Sequence, residues 1–181
     1  YTDVWKQGGG GIWHIGNVDP ELGLVYFVTG NAVPMFGGKA RKGDNLYTAS
    51  ILAHDIRTGE LRWHYQVVHH DLWDADIAIA PMLYNAAIDG QSRKALAALR
   101  ADGYIFMLDR ETGEPIFPAE ERPVTQDALN HTSSMQPFPV GSDPIVPTSA
   151  EWRAKVPAPG ILHCYGLTPL SVDRDNALAP G

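Results

Sequence analysis

The chain has 181 residues, with 14 Lys and Arg against 21 Asp and Glu, for a formal net charge of -7. This excess of negative charge argues against nucleic acid or an anionic membrane as a partner. No apolar run approaches the roughly 20 residues that a membrane-spanning helix needs. The single cysteine, Cys164, allows no internal disulfide. The 18 glycines and 14 prolines predict many turns and few long helices.

The first third of the chain predicts strands and turns. Four consecutive glycines at 8–11 allow close approach of the backbone to another group, and Trp13 follows them. The β-branched and aromatic run at 24–29 predicts a buried strand between two turns. Asn31 stands directly after that strand, and residues 32–46 are rich in glycine and charge, which predicts a loop.

A repeated turn motif is the main architectural signal. Strand-like runs at 48–54 and 104–108 each lead into the pattern Asp-x-x-Thr-Gly-Glu, at Asp55 and at Asp109. A period near 50 residues with several short strands predicts a β-propeller. We expect an all-β fold of antiparallel four-stranded blades, forming an incomplete ring of three to four blades. A closed four-bladed ring, or two ordinary hairpins that share common turn chemistry, are the alternatives.

The amino-acid composition changes after the second turn motif. The chain becomes rich in proline, which predicts an extended loop over 119–160. Residues 161–170 have the composition of one more strand, so 161–181 are expected to begin a further blade. We therefore expect the remainder of the propeller to lie outside this chain.

Residues 69–76, His-His-Asp-Leu-Trp-Asp-Ala-Asp, are called the acidic loop below. If the backbone stays extended, Asp74 and Asp76 point to the same side and their carboxylates converge. Converging carboxylates suit a hard cation or a base beside a metal. The alternative is a polar loop that caps a helix with Asp74 as N-cap. His69 and His70 are consecutive, so one is expected to pack and the other to form hydrogen bonds.

Several motifs together resemble the pyrroloquinoline quinone (PQQ)-dependent dehydrogenases, which are periplasmic eight-bladed propellers that oxidise alcohols, sugars and polyols. The resemblance covers roughly residues 5–118, and the pattern from Ala53 to Trp63 looks like the tryptophan-docking repeat of that family. Residues 134–138 resemble its membrane-bound glucose dehydrogenase branch. The matching segments are Gly8 to Trp13, Asp19-Pro20, 24–27, Thr29-Gly30-Asn31, and His70 to Asp74.

The resemblance implies a role for individual residues. Trp13 matches the tryptophan that stacks on the quinone, and Asn31 matches an asparagine that ligates the metal. Asp74 matches the catalytic base and lies beside the metal. Asp76 matches an extra ligand of lanthanide-dependent members, although similar sugar dehydrogenases also carry Asp there. The implied cofactors are PQQ and Ca²⁺, with a lanthanide or Mg²⁺ as the alternative.

Two positions depart from the family pattern. Ala101 stands where the family has Arg or Lys against the quinone oxygens, and Arg100 beside it substitutes only if the register shifts by one residue. Gly11 stands where many members have a threonine that contacts the cofactor. The metal-binding glutamate and the adjacent-cysteine disulfide of the family would lie before Tyr1.

The expected function is therefore hydride transfer from a hydroxyl of an alcohol, sugar or polyol to PQQ, followed by electron transfer to ubiquinone or cytochrome c. The expected location is the periplasm, with attachment to the inner membrane as an option. The alternative function is a non-catalytic propeller that serves as a scaffold for protein–protein interaction. The enzyme requires the indole of Trp13 to lie close to Asn31, Asp74 and Asp76, and a scaffold does not.

Overall fold

A computed structural model describes residue 6 and residues 8–145 of the chain. This part is all-β: nine strands pair antiparallel, and a short 3-10 turn, Gly38–Ala40, lies in the loop after the second strand. No helix in the described part has the length and apolar character needed to cross a membrane. The strands are β1 Asn17–Asp19, β2 Leu24–Val28, β3 Ser50–Asp55, β4 Leu61–Gln66, β5 Met82–Ile88, β6 Gln91–Leu99, β7 Ile105–Asp109, β8 Ala119–Pro123 and β9 Met135–Pro139.

The first sheet is a complete four-stranded meander in the order β1-β2-β3-β4. Strand β2 alternates between buried and half-buried residues, so Leu24, Tyr26 and Val28 share the covered face. Strand β3 is buried on both faces at its start, as expected for a central strand. The antiparallel blade predicted from the sequence is therefore confirmed for this segment.

The second sheet has three strands in the order β5-β6-β7. Its hairpin turns at Asp89 and Gly90, whose φ values of 52° and 75° are those of a type I′ turn. The buried side of the sheet, including Leu96 and Phe106, packs in one core with Tyr26 of the first sheet and with Val67, which follows β4. The two sheets therefore pack on each other.

The two Asp-x-x-Thr-Gly-Glu motifs form the same turn. The Asp55 carboxylate accepts hydrogen bonds from the backbone N–H groups of residues 57 and 58 at 2.9 Å each, and Asp109 does the same for residues 111 and 112 at 2.9 and 3.1 Å. Gly59 and Gly113 close these turns with φ values of 75° and 77°. The indole of Trp63 packs on Gly113, which confirms the tryptophan-docking repeat.

The prediction of an extended loop over 119–160 is wrong for its first part, because β8 and β9 pair there in register from Ala119↔Pro139 to Pro123↔Met135. Prolines are tolerated because a two-stranded sheet consists only of edge strands. The buried side chain of Gln136 on β9 also bonds to the backbone of His69: it accepts from the N–H at 2.8 Å and donates to the C=O at 2.7 Å. This strand pair is thereby attached to the acidic loop.

The described residues form three antiparallel sheets, of four, three and two strands, as expected for an incomplete assembly of blades. The strand predicted within 161–170, the further blade predicted over 161–181 and Cys164 lie outside the described residues.

Candidate active site

The end of β2 and the glycine run lie side by side. The N–H of Gly30 donates to the carbonyl of Gly11 at 2.8 Å, and Gly9 and Val33 pair as an isolated bridge. A Cβ added to Gly30 would lie 3.2 Å from Nε1 of Trp13 and 3.3 Å from Oδ2 of Asp76. The side chains of Trp13 and Asp76 therefore both lie against Gly30, where a larger residue would displace one of them by a few tenths of an ångström.

Asp76 is the centre of this cluster. Its carboxylate is buried, and the indole of Trp13 and the backbone of Asn31 lie close enough to act against the rise in its pKa. Burial raises the pKa of Asp76, and the negative charge of Asp74 raises it further. The structure therefore brings the predicted indole, asparagine and two aspartates together.

Asp74 reaches the cluster by another route than the one predicted. Its φ of 59° is left-handed, so the extended backbone expected for residues 74–76 is not formed. No helix of the described residues begins here, which also removes the reading of Asp74 as a helix cap. A turn, rather than strand alternation, carries the exposed carboxylate of Asp74 near that of Asp76.

A buried carboxylate that the sequence reasoning did not single out supports this turn. Asp71 is fully buried, and its two oxygens accept the backbone N–H groups of Trp73 at 2.8 Å and Ala75 at 3.0 Å. Burial raises the pKa of Asp71 to about 6. The tendency of Asp to bond backbone N–H groups a few residues ahead was the available sequence signal.

The two histidines differ in burial, but both form hydrogen bonds, so the predicted division into one packed and one hydrogen-bonded histidine is only partly confirmed. His70 is buried, its Nδ1 lies 2.6 Å from the carbonyl of Gly43, and burial lowers its pKa. His69 is partly exposed, with Nδ1 2.7 Å from Oε1 of Gln66 and Nε2 3.0 Å from Oε1 of Glu121. Both residues hold the acidic loop to its surroundings.

Trp13 offers an open aromatic surface. Its side chain belongs to a residue that is 60% exposed, and one neighbour is the ring of His14, with centroids 4.1 Å apart. A Cβ at Gly11 would meet no heavy atom within 4 Å, so the space around the backbone two residues before Trp13 is unobstructed. An open groove of about 430 Å³ is lined by Lys6, the glycines at 8–11 and Val33. A flat ring system fits beside Trp13 on these grounds.

The structure does not bring Arg100 to this cluster. Its guanidinium is fully buried and donates at 2.8 Å each to Oδ1 of Asp102 and to the carbonyls of Val67 and Pro137. Three aromatic rings, those of Tyr104, Phe106 and Phe138, lie 5.0–5.2 Å from it. The predicted contact of Arg100 with a cofactor stays a prediction, and it would require the guanidinium to leave these partners.

Ala101, the neighbouring position, does lie beside the acidic loop, because its N–H donates to the carbonyl of Asp76 at 3.0 Å. The side of the cluster at position 101 therefore carries no cationic side chain.

The donor set fits part of the shell of a hard cation. Asp74 and Asp76 form no ion pair with a described lysine, arginine or histidine, so their charges lack compensation in residues 8–145. The amide nitrogen of Asn31 donates to the carbonyl of Ala32 at 3.3 Å, which leaves its oxygen free to act as a ligand. No group of three His, Cys, Asp or Glu suited to a metal occurs among the described residues. Further ligands would have to come from elsewhere.

Comparison with known proteins gives a family. Residues 2–156 match the model of the PQQ-dependent glucose/ethanol/alcohol dehydrogenase β-propeller domain. The chain is 40% identical over 129 residues to quinoprotein glucose dehydrogenase of Escherichia coli, covering 70% of this chain and 16% of that protein. It is 37% identical over 122 residues to lanthanide-dependent methanol dehydrogenase of Methylorubrum extorquens, covering 67% and 20% respectively.

A solved structure agrees. Quinohemoprotein alcohol dehydrogenase from Comamonas testosteroni superposes with a TM-score of 0.60 at 34% identity, covering 77% of this chain and 21% of that one. The chain therefore spans only about a fifth of the length of these relatives. With most of its length matched by the family model, this chain belongs to the PQQ-dependent glucose/ethanol/alcohol dehydrogenase family and forms part of its β-propeller domain.

Proposed function

We propose that this chain contributes the catalytic base and part of the cofactor site to a PQQ-dependent dehydrogenase that oxidises a hydroxyl group of a sugar, polyol or alcohol. The observation that carries the proposal is the approach of Trp13 and Asp76 to each other at Gly30, with the backbone of Asn31 and the charge of Asp74 acting on Asp76. A scaffold propeller has no need of two carboxylates that lack an ion-pair partner among the described residues beside an exposed indole.

Each residue has a part in this proposal. Trp13 binds the quinone on the open face of its indole, and Asn31, Asp74 and Asp76 supply oxygen ligands to Ca²⁺, a lanthanide or Mg²⁺. Asp74 accepts the proton of the substrate hydroxyl as the adjacent carbon loses a hydride. The bound quinone supplies the hydride acceptor, and the cation beside it supplies a Lewis acid.

The wider setting is also a proposal. The family and its named relatives support an alcohol or sugar as substrate. The resemblance of the sequence at 134–138 to the glucose dehydrogenase branch favours a sugar or polyol. We assign the full-length protein to the periplasm, with ubiquinone or a cytochrome c as electron acceptor. Cell fractionation and reduction of each acceptor by the purified protein test these assignments.

The direct test uses the full-length protein reconstituted with PQQ and either Ca²⁺ or La³⁺. Dye reduction is followed with glucose, glycerol and ethanol, for the wild type and for Asp74→Asn. We expect turnover by the wild type, and loss of at least about a hundredfold in Asp74→Asn with bound quinone retained. No bound quinone and no turnover with any metal would favour the scaffold function instead.

A further inference from the structure

We propose that Asp71, held in place by Arg41, is a positioning residue that fixes the direction of the Asp74 carboxylate. The inference rests on the function proposed above, in which Asp74 is the base. It concerns a buried side chain that is expected to touch neither substrate nor cofactor.

The first argument is the placement of the two oxygens of Asp71. One accepts the N–H of Trp73 at 2.8 Å and the other accepts the N–H of Ala75 at 3.0 Å, so the carboxylate bonds the residue on each side of Asp74. Asp74 has a φ of 59°, a left-handed conformation that residues with a side chain rarely adopt. Such a conformation persists where surrounding bonds impose it, and Asp71 provides those bonds.

The second argument is that Asp74 has no other support. Its carboxylate is exposed and forms no hydrogen bond with a described residue. The direction of the side chain therefore depends on its main chain. The main chain in turn depends on Asp71.

The third argument is the anchorage of Asp71 itself. Arg41 is buried, and its guanidinium donates to the main-chain carbonyl of Asp71. The same guanidinium donates to the carbonyls of Pro34 at 2.9 Å and Met35 at 2.7 Å. One planar cation with several donors thus joins the loop after β2 to the residue that shapes the turn at Asp74.

Positioning of this kind has kinetic consequences. A base must lie within about 3 Å of the proton that it takes. A displacement of about 1 Å can cost about a hundredfold in rate without loss of substrate binding.

The test compares Asp71→Asn with Asp44→Asn in the full-length protein loaded with PQQ and Ca²⁺ or La³⁺. Asparagine keeps one acceptor oxygen and sets an NH₂ group against the other N–H. Asp44 is a matched control because it is exposed and its main-chain oxygen, rather than its carboxylate, accepts from Gln66 at 2.7 Å and His70 at 3.2 Å. Wild type and Asp74→Asn are assayed first, so failure of the proposed function itself is recognised separately.

We expect Asp71→Asn to lower kcat by about 10- to 100-fold, with KM and bound quinone within about twofold of wild type. The isotope effect with substrate deuterated at the reacting carbon should rise, because the chemical step becomes slower. Asp44→Asn should behave as wild type. A kcat within twofold of wild type overturns the proposal. So does a loss that matches the loss of bound quinone with an unchanged isotope effect. If Asp71→Asn does not fold, Arg41→Lys is judged by the same readouts.

Discussion

The indole of Trp63 lies directly against the α-carbon of Gly113: a Cβ at that position would come within 2.6 Å of Cδ2 of the indole. The Nε1 of Trp63 also donates to the carbonyl of Arg110 at 3.1 Å. A tryptophan from the first sheet is thus seated on the repeated turn of the second. This contact joins the two sheets at the second Asp-x-x-Thr-Gly-Glu turn, which the repeated motif in the sequence had identified.

The two turn glycines should differ sharply when each is replaced by alanine. Gly113→Ala adds a methyl group under Trp63 and also strains a φ of 77°, so we expect a loss of about 2–4 kcal/mol in the free energy of unfolding. Gly59→Ala has the same strain at φ 75° with no atom within 4 Å, so we expect about 1–2 kcal/mol. Urea unfolding measures both, and equal losses would contradict a role for the Trp63 contact.

The two hydrogen-bond donors to the carbonyl of Arg110 should partly replace each other in stabilising the fold. It accepts from the hydroxyl of Tyr26 at 2.9 Å as well as from Trp63. Tyr26→Phe leaves one donor and should cost about 1 kcal/mol. Trp63→Phe also loses part of the ring that packs on Gly113, so it should cost about 2–3 kcal/mol. The double variant leaves a buried carbonyl without a partner and should cost about 1 kcal/mol more than the sum. Chemical denaturation of the wild type, the two single variants and the double variant gives the four free energies of unfolding. If the two single losses add up to the loss in the double variant, the two donors do not share this acceptor.

A methyl group at Gly30 should loosen the candidate metal site. Gly30→Ala places a Cβ within 3.2–3.3 Å of Trp13 and Asp76, which is tight enough to displace one of them by a few tenths of an ångström. We expect about tenfold weaker binding of Ca²⁺ or La³⁺, equivalent to about 1.4 kcal/mol. Calorimetric titration of the full-length protein with PQQ present measures this affinity. Ser92→Ala, an exposed change on β6, is the control, and an unchanged affinity in Gly30→Ala would place the cation elsewhere.

Stability should depend on pH through Asp71. Burial raises its pKa to about 6 from the ordinary 3.8, so the folded protein retains a proton there that the unfolded chain releases. Stability from this group is therefore present at low pH and declines as pH rises from roughly 4 to 6. Asp71→Asn should lack this decline. Urea unfolding of the metal-free protein at pH 4, 5, 6 and 7 tests this, and parallel profiles for the two proteins would contradict the assignment.

Local chemistry was enough to predict the strands whose signals are strong. The run at 24–29, the two Asp-x-x-Thr-Gly turns and Trp63 all appear where their residue types require. The sequence indicates apolar runs at 77–83 and 95–99 but not the full β5-β6 hairpin, because the run 82–88 mixes polar and apolar residues although Asp89-Gly90 is a type I′ signal. β8 and β9 were missed because prolines suggested a loop, whereas edge pairing tolerates them.

The candidate site was predictable in membership but not in geometry. The motif resemblance identified Trp13, Asn31, Asp74 and Asp76, and the structure brings them together. It could not give the left-handed turn at Asp74, which depends on a hydrogen-bonded carboxylate three residues earlier. The burial of Arg100 was likewise hidden, because its partners at residues 67 and 137 are distant in sequence.

The attachment of Gln136 to His69 has a practical consequence for choosing truncation boundaries. Cutting the chain before β9 would remove the hydrogen-bond partner of the partly buried N–H and C=O of His69. The proline-rich stretch is therefore no disposable linker. An expression fragment meant to preserve the acidic loop must extend beyond Pro139.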